Sequence, residues 1–299
     1  MSSINLKNIF FVLALFFSTL YSPLNANNKV LKVGAIPDQN QDTLNKRFNL
    51  FSKELSKSLD VEVNYIPVIN YVAAVSAFRT KDLDLVWFGG LTGVQARLQS
   101  PGSIVLAQRD IDKEFKSVFI VNKKLKFSTI SNKKGLKKLK NLRFTFGSAN
   151  STSGRLMPEY FLNEAGIGIK DFKGKRAGFS GSHDATIALV NSGAYDAGVL
   201  NKQVWDNNLK NNPKRTKNVS LFWITPHYVD YHWLVQGDID NKYRKGFTEE
   251  LKSKILSLDV NKAEDKIILD MFNAKKFIEA KSSDYEKIEA IGRKLKKIK

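Results

Sequence analysis

Short apolar runs alternate with helical periodicities along nearly the whole chain, and this rhythm restricts it to an α/β architecture with mainly parallel sheets flanked by helices. Leu31 to Ile36 reads as a strand closed by Pro37. Leu44, Phe48, Phe51, Leu55 and Leu59 then recur every three or four residues, the spacing of one helical face. Val61 to Pro67 is a second strand, Tyr71 to Arg79 a helix, and Leu83 to Phe88 a third strand ending at Gly89-Gly90. A helix carrying Val94 and Leu98 follows, then strands near Ile104–Ala107 and Ser117–Val121. A Lys-, Ser- and Asn-rich stretch from Asn122 to Lys134 interrupts the pattern. It restarts with strand Leu142–Phe146, helix Arg155–Glu164, a strand near Lys175–Phe179, helix Asp184–Asn191 and strand Ala197–Leu200. The polar segment Asn207 to Asn218 leads to strand Val219–Ile224; a short strand and helices complete the chain after about Tyr231. This division predicts two lobes, residues 27–122 with 228–299 and an inserted 123–227, hinged near Val121–Lys124 and Thr225–Tyr231. Ligands of open α/β sheets bind beyond the carboxyl ends of the strands, so a cleft between lobes is the expected site.

Residues 1–26 read as a cleaved secretory signal peptide. Lys7 supplies a short basic region, Ile9 to Phe17 an apolar run, and Leu24-Asn25-Ala26 a cleavage site. That run is too short to cross a bilayer as a helix. The chain has no Cys, which excludes an acylated lipoprotein, disulfides, thiolate catalysis and Cys-based metal sites. Export without a lipid anchor predicts a periplasmic, soluble protein. The formal net charge is +19, and +18 once Lys7, the sole charged residue of 1–26, is removed. The densest basic runs, Lys133 to Lys140 and Lys294 to Lys299, are not interleaved with aromatics; Leu136, Leu139 and Leu142 mark a buried side instead. These runs read as solvated faces rather than a nucleic-acid groove, and their charge draws small anions toward the surface.

The sharpest local motif is Asn150-Ser151-Thr152-Ser153-Gly154, three hydroxyls between a strand and a helix start. A helix start offers unpaired N–H groups and the positive end of the helix dipole, so added hydroxyls suit a tetrahedral oxyanion. An ordinary N-cap gives the same local sequence, and both readings stand at this point. Singly, His183 reads as a structural histidine, Asp184 as a first-turn acid, Asp196 as a turn residue and Trp87 as core. His227 and His232 read as packing residues.

Several segments together resemble the periplasmic solute-binding proteins of ABC transporters for phosphonates and phosphite. They are Ile36-Pro37-Asp38-Gln39, Asn70-Tyr71, Val86-Trp87-Phe88-Gly89-Gly90, Ser117 to Asn122, Ser151-Thr152-Ser153-Gly154, Ser180-Gly181-Ser182-His183-Asp184 and Tyr195-Asp196, in the expected order. The resemblance implies the two-lobed type II fold, closure around a small oxyanion, delivery to an inner-membrane permease, and no cofactor. It places an anion cradle at Ser151, Thr152 and Ser153, with Tyr71 reaching in from the first lobe and His183 and Asp196 from the second. Asp184 stands where binders of aminoalkylphosphonates carry a longer Glu, and Phe115 where some members have Tyr; both point to a smaller ligand.

Physical chemistry adds a selector. Sulfate and selenate are dianions at neutral pH, and a carboxylate at 4 Å repels such a charge by about 4 kcal/mol at an effective dielectric near 20. A phosphorus oxyanion keeps a P–OH and donates it. Asp196 is expected in that role, with Tyr71, Trp87 and Phe115 covering a P–H or P–CH3 side. Phosphite ranks first and methylphosphonate second, with phosphate and selenate as alternatives, and a monomer is expected. A hydrolase using Ser151, His183 and Asp196 is the rival from another class; it lacks the Gly-x-Ser-x-Gly elbow. A P-loop fails because Arg155 follows Gly154, and the three His lack metalloprotease spacing.

Overall fold

The computed structural model describes residues 29–299, and the expected signal peptide lies outside the described residues. One sheet holds β1 (Leu31–Ala35), β2 (Val63–Tyr65), β3 (Leu85–Phe88), β4 (Ile104–Arg109), β10 (His232–Val235) and β11 (Phe277–Glu279), in the order β11-β4-β10-β3-β1-β2. The other holds β5 (Ser117–Asn122), β6 (Phe144–Phe146), β7 (Gly178–Phe179), β8 (Ala197–Asn201) and β9 (Val219–Ile224), in the order β7-β6-β8-β5-β9. β1 is parallel to β2 and β3, whereas β10 runs against β3 and β4, and β11 against β4. In the second sheet β6 is parallel to β7 and β8, and β5 runs against β8 and β9. Most strands of each sheet therefore share a direction, as the alternating pattern predicts, but both sheets are mixed. Three strands are reversed, β5, β10 and the edge strand β11; β5 and β10 are where the chain enters each sheet from the other, and such entries are free of the crossover helix that makes neighbours parallel.

β5 corrects the expected lobe boundary. The break after residue 122 assigned this strand to the first lobe, yet it pairs along its length with β8 and β9. The crossings between sheets lie at 110–116 and 225–231, so Val121–Lys124 is the end of a strand rather than a hinge. Phe115 and Tyr228 stitch the two crossings together by exchanging backbone hydrogen bonds of 2.9 and 3.0 Å.

α1 (Gln41–Leu59) buries Leu44, Phe48, Phe51, Leu55 and Leu59, the face read from periodicity, and Asn40 caps it by accepting from the Thr43 N–H at 2.9 Å. α2 (Tyr71–Arg79) and α3 (Gly90–Gln99) follow β2 and β3, and α4 (Met157–Glu164), α5 (His183–Ser192) and α6 (Lys202–Asn211) flank the second sheet. α6 occupies a stretch whose second half reads as a polar linker; only Val204, Trp205 and Asn208 are buried, too few to mark a face in sequence. α7 (Ile239–Lys242), α8 (Phe247–Leu256), α9 (Ala263–Phe272) and α10 (Glu286–Lys294) return to the first lobe.

Strand alternation divides the second core: Phe119 and Val121 of β5 face the main cluster, while Val118 and Ile120 pack with Ile187, Val190, Leu200 and Trp205 beneath α5 and α6. In the first lobe Phe51 stacks on Trp233 (4.8 Å between centroids), and Trp233 lies against Trp87. No helix among the described residues is long and apolar enough to cross a membrane.

Candidate functional site

Four helix starts face one another where the lobes meet. Tyr71 is the first residue of α2, fully buried, behind an Asn70 cap that accepts from the Ala73 N–H at 2.8 Å. α3 starts after Gly89, which has no side chain to cap it. Its first N–H groups are taken from outside: Gly90 donates to Asp230 Oδ1 at 2.8 Å, and Leu91 donates to Thr152 Oγ1 at 2.9 Å. The second bond joins the first lobe to the second. A Cβ at position 89 would stand 3.2 Å from Thr152 Oγ1 and 3.3 Å from Asp230 Oδ1, so glycine is what lets both acceptors close on the helix end.

The hydroxyl motif forms a π-helical turn, Thr152–Leu156, ahead of α4, closed by the Leu156 N–H on the Ser151 carbonyl at 3.0 Å. Wide turns of this kind concentrate at functional sites. Ser151 caps the turn, accepting from the Gly154 N–H at 2.9 Å, so the cap reading is correct for that oxygen while its proton stays free. Ser153 Oγ is buried and has no hydrogen-bond partner; its carbonyl accepts from Ser117 Oγ at 2.7 Å. Tyr71 Oη, beside Ser151, and Asp230 Oδ2 are likewise buried without partners. Each such orphan costs about 1–3 kcal/mol. Their convergence around Thr152 marks a place where a polar ligand supplies the missing bonds.

The electrostatics fit a protonatable anion. Burial pushes the Asp230 carboxyl up to about 7, against the pull of the Gly90 N–H and the Thr152 hydroxyl. Burial raises the Tyr71, Tyr228 and Tyr231 phenols well above their usual value, so all three are neutral donors. Burial also lowers His183, which is neutral. Its Nδ1 accepts from the Asn201 N–H at 3.4 Å, which leaves the proton on Nε2, 3.4 Å from Tyr231 Oη; Tyr231 in turn donates to Asp38 Oδ2 at 2.9 Å. Buried Arg109, paired with Asp112, lies 4.9 Å from the Tyr231 ring centroid and 5.4 Å from that of Trp87, so a neutralised ion pair backs these rings.

Of the nine residues singled out in sequence, Tyr71, Ser151, Thr152, Ser153 and His183 gather here. Asp196 does not. It precedes β8 and is bound by the Arg143 backbone N–H (2.9 Å) and guanidinium, which hold its carboxyl below the usual range. The other end of β8, Asn201, meets His183, and the intervening strand spans roughly 16 Å at 3.3 Å per residue. Trp87 and Phe115 are also corrected: both are sealed in the core, Trp87 stacked under Tyr231 at 5.6 Å and Phe115 wedged against Tyr228 and Tyr231. They support a wall rather than form one. Asp184 sits at the cleft edge and bonds to the opposite lobe. His232 packs on Tyr285, its pKa lowered by burial to about 3, whereas His227 is exposed.

Sequence reading missed Asp38, Asp230 and Tyr231. Asp38 lies inside the Ile36-Pro37-Asp38-Gln39 segment, and Asp230-Tyr231 falls in the expected Thr225–Tyr231 hinge. No group of three or more His, Cys, Asp and Glu among the described residues is arranged to hold a metal.

The family model for the periplasmic substrate-binding protein of phosphonate ABC transporters matches residues 33–285. The chain belongs to that family. It is 75% identical over 295 residues, 99% of each chain, to the probable ABC transporter phosphite binding protein PhnD1 of Prochlorococcus marinus strain MIT 9301. It is 30% identical to the phosphonates-binding periplasmic protein of Escherichia coli K12, over 85% of this chain and 73% of that one. The structure of Prochlorococcus PhnD1 in complex with methylphosphonate superposes with a TM-score of 0.90 at 78% identity, covering 91% of this chain and all of the other. A phosphonate-transporter component from Pseudomonas aeruginosa, at 20% identity and a TM-score of 0.77, shares the fold. As a family member the chain is a periplasmic substrate-binding component of an ABC transporter, not an enzyme, with the two-lobed α/β fold of type II binding proteins.

Proposed function

We propose that the chain captures phosphite or methylphosphonate between its lobes and presents the closed form to its permease, as an exported monomer released from residues 1–26. The observation that carries this reading is the set of buried, unpartnered polar atoms, Tyr71 Oη, Ser153 Oγ and Asp230 Oδ2, around Thr152 at the lobe junction. The Ser151 and Ser153 hydroxyls and the neutral Tyr71 phenol, at the positive ends of the helix starts, supply donors for the oxygens. Asp230, in place of Asp196, is the carboxylate that accepts a P–OH proton. With Trp87 and Phe115 buried, the rings of Tyr71 and Tyr231 are left to cover the apolar P–H or P–CH3 side. A calorimetric panel of phosphite, methylphosphonate, phosphate, sulfate and selenate tests the reading. One-to-one isotherms strongest for the first two are expected. Equal or tighter binding of sulfate or selenate would sink it.

A further inference from the structure

The loop after β1 and the start of α5 meet edge to edge across the cleft. The His183 N–H donates to the Asp38 carbonyl at 2.9 Å, and the Asn40 N–H donates to Asp184 Oδ2 at 3.0 Å. The two bonds run in opposite directions between the same two segments, one from each lobe. Asn40 is pinned because its side-chain oxygen caps α1, accepting from the Thr43 N–H and hydroxyl at 2.9 and 3.0 Å. Asp184 is pinned on its other oxygen by Asn208 Nδ2 at 3.4 Å and by Arg215 Nη1 at 3.7 Å. One oxygen of its carboxylate is thus held within its own lobe and the other is spent on the facing lobe.

We infer that Asp184 is a positioning residue, the second-lobe half of a clasp that closes on Asn40 and holds the ligand in. The inference rests on the binding reading above. The clasp lies next to the ligand network: Asp38 and His183, which share its other hydrogen bond, both face Tyr231. Opening the lobes breaks both clasp bonds together with the Thr152–Leu91 bond, so release requires their simultaneous loss. Capture does not, because the open form has yet to make them. The clasp therefore acts on the dissociation rate.

The test is stopped-flow dissociation and association of methylphosphonate with wild type, Asp184→Ala and Asp184→Asn. Asp184→Ala is expected to release the ligand about tenfold faster, equivalent to about 1.4 kcal/mol, with association unchanged. Asp184→Asn keeps an acceptor oxygen for the Asn40 N–H and is expected to stay within about threefold of wild type. Because the chain has no Cys, spin labels at Lys53 and Lys138, one on each lobe, report closure directly; ligand-saturated Asp184→Ala is expected to show a wider interlobe distance distribution. Unchanged release from Asp184→Ala overturns the clasp, as does an Asn variant as impaired as the Ala variant, since charge at the ligand and not the bridging bond would then be the cause. If the wild type binds neither phosphite nor methylphosphonate, the ligand reading fails by itself. The same rates, measured with whichever anion of the panel it does bind, still decide the clasp.

Discussion

Two aspartates, each next to a tyrosine, illustrate what one residue's surroundings decide. Tyr195-Asp196 and Asp230-Tyr231 look alike in sequence, but one carboxylate is bound to Arg143 at the far end of β8 and the other is buried against the start of α3. Both aspartates precede a strand, but β8 runs parallel to β6 whereas β10 runs against its neighbours, so only Asp230 comes to the cleft; that strand direction is not legible in the local sequence. Asp230→Asn is therefore expected to weaken phosphite binding about 10- to 100-fold, the worth of one charge-assisted hydrogen bond, and to relax the rejection of sulfate. Asp196→Asn should leave the isotherm unchanged, and calorimetry on both variants checks the pair. The same residue carries a stability signature of definite sign. Its folded pKa of about 7 lies above the ordinary 3.8, so the stability it allows is fully present below pH 3.8 and is lost as pH rises through 7. Asp230→Asn should melt above wild type at pH 8, and that advantage should vanish by about pH 4. A variant that binds worse yet folds better is the mark of a carboxylate kept buried for function.

Helices that bury a periodic face are legible in sequence, α1 to its last apolar position. α6 is not, because three buried residues in a polar decapeptide carry no period. β5 is legible as a strand but not as a member of its sheet: all its residues are buried, so nothing in its pattern chooses one sheet over the other. The anion cradle was recognisable as three hydroxyls at a helix start, but its use of a second helix was not, since the acceptors of the Gly90 and Leu91 N–H groups come from 140 and 61 residues away. The two starts work as one unit through Thr152, whose hydroxyl caps the first turn of α3 from the opposite lobe. Thr152→Val keeps the shape and removes the oxygen. Leu91 N–H then loses its acceptor on closure and the ligand loses a neighbour, so methylphosphonate affinity should fall about 100-fold, two bonds' worth. Circular dichroism should show the helical content intact. Affinity within twofold of wild type would mean that α3 does not belong to the closing surface.

Charge acts over the entire molecule. Lys and Arg number 48 against 29 acids, while the cleft itself holds two buried acids, Asp38 and Asp230, and neutral phenols. The positive field therefore belongs to the exterior, and the interior relies on hydrogen bonds at close range. These two layers respond differently to salt, because the Debye length shrinks from about 30 Å at 0.01 M to under 10 Å above 0.1 M and buried contacts are screened far less. Capture should follow the exterior: the association rate of phosphite is expected to drop about tenfold between 10 mM and 300 mM sodium chloride, as steering is lost. Release should follow the interior and stay within about twofold, since Thr152 and Asp230 are buried at the closed lobe junction. Stopped-flow traces at fixed pH separate the two rates. A flat association rate would assign capture to the helix starts alone and leave the excess lysines to solubility; a salt-dependent release rate would place the gripping groups in water, against the burial of Thr152, Ser153 and Asp230.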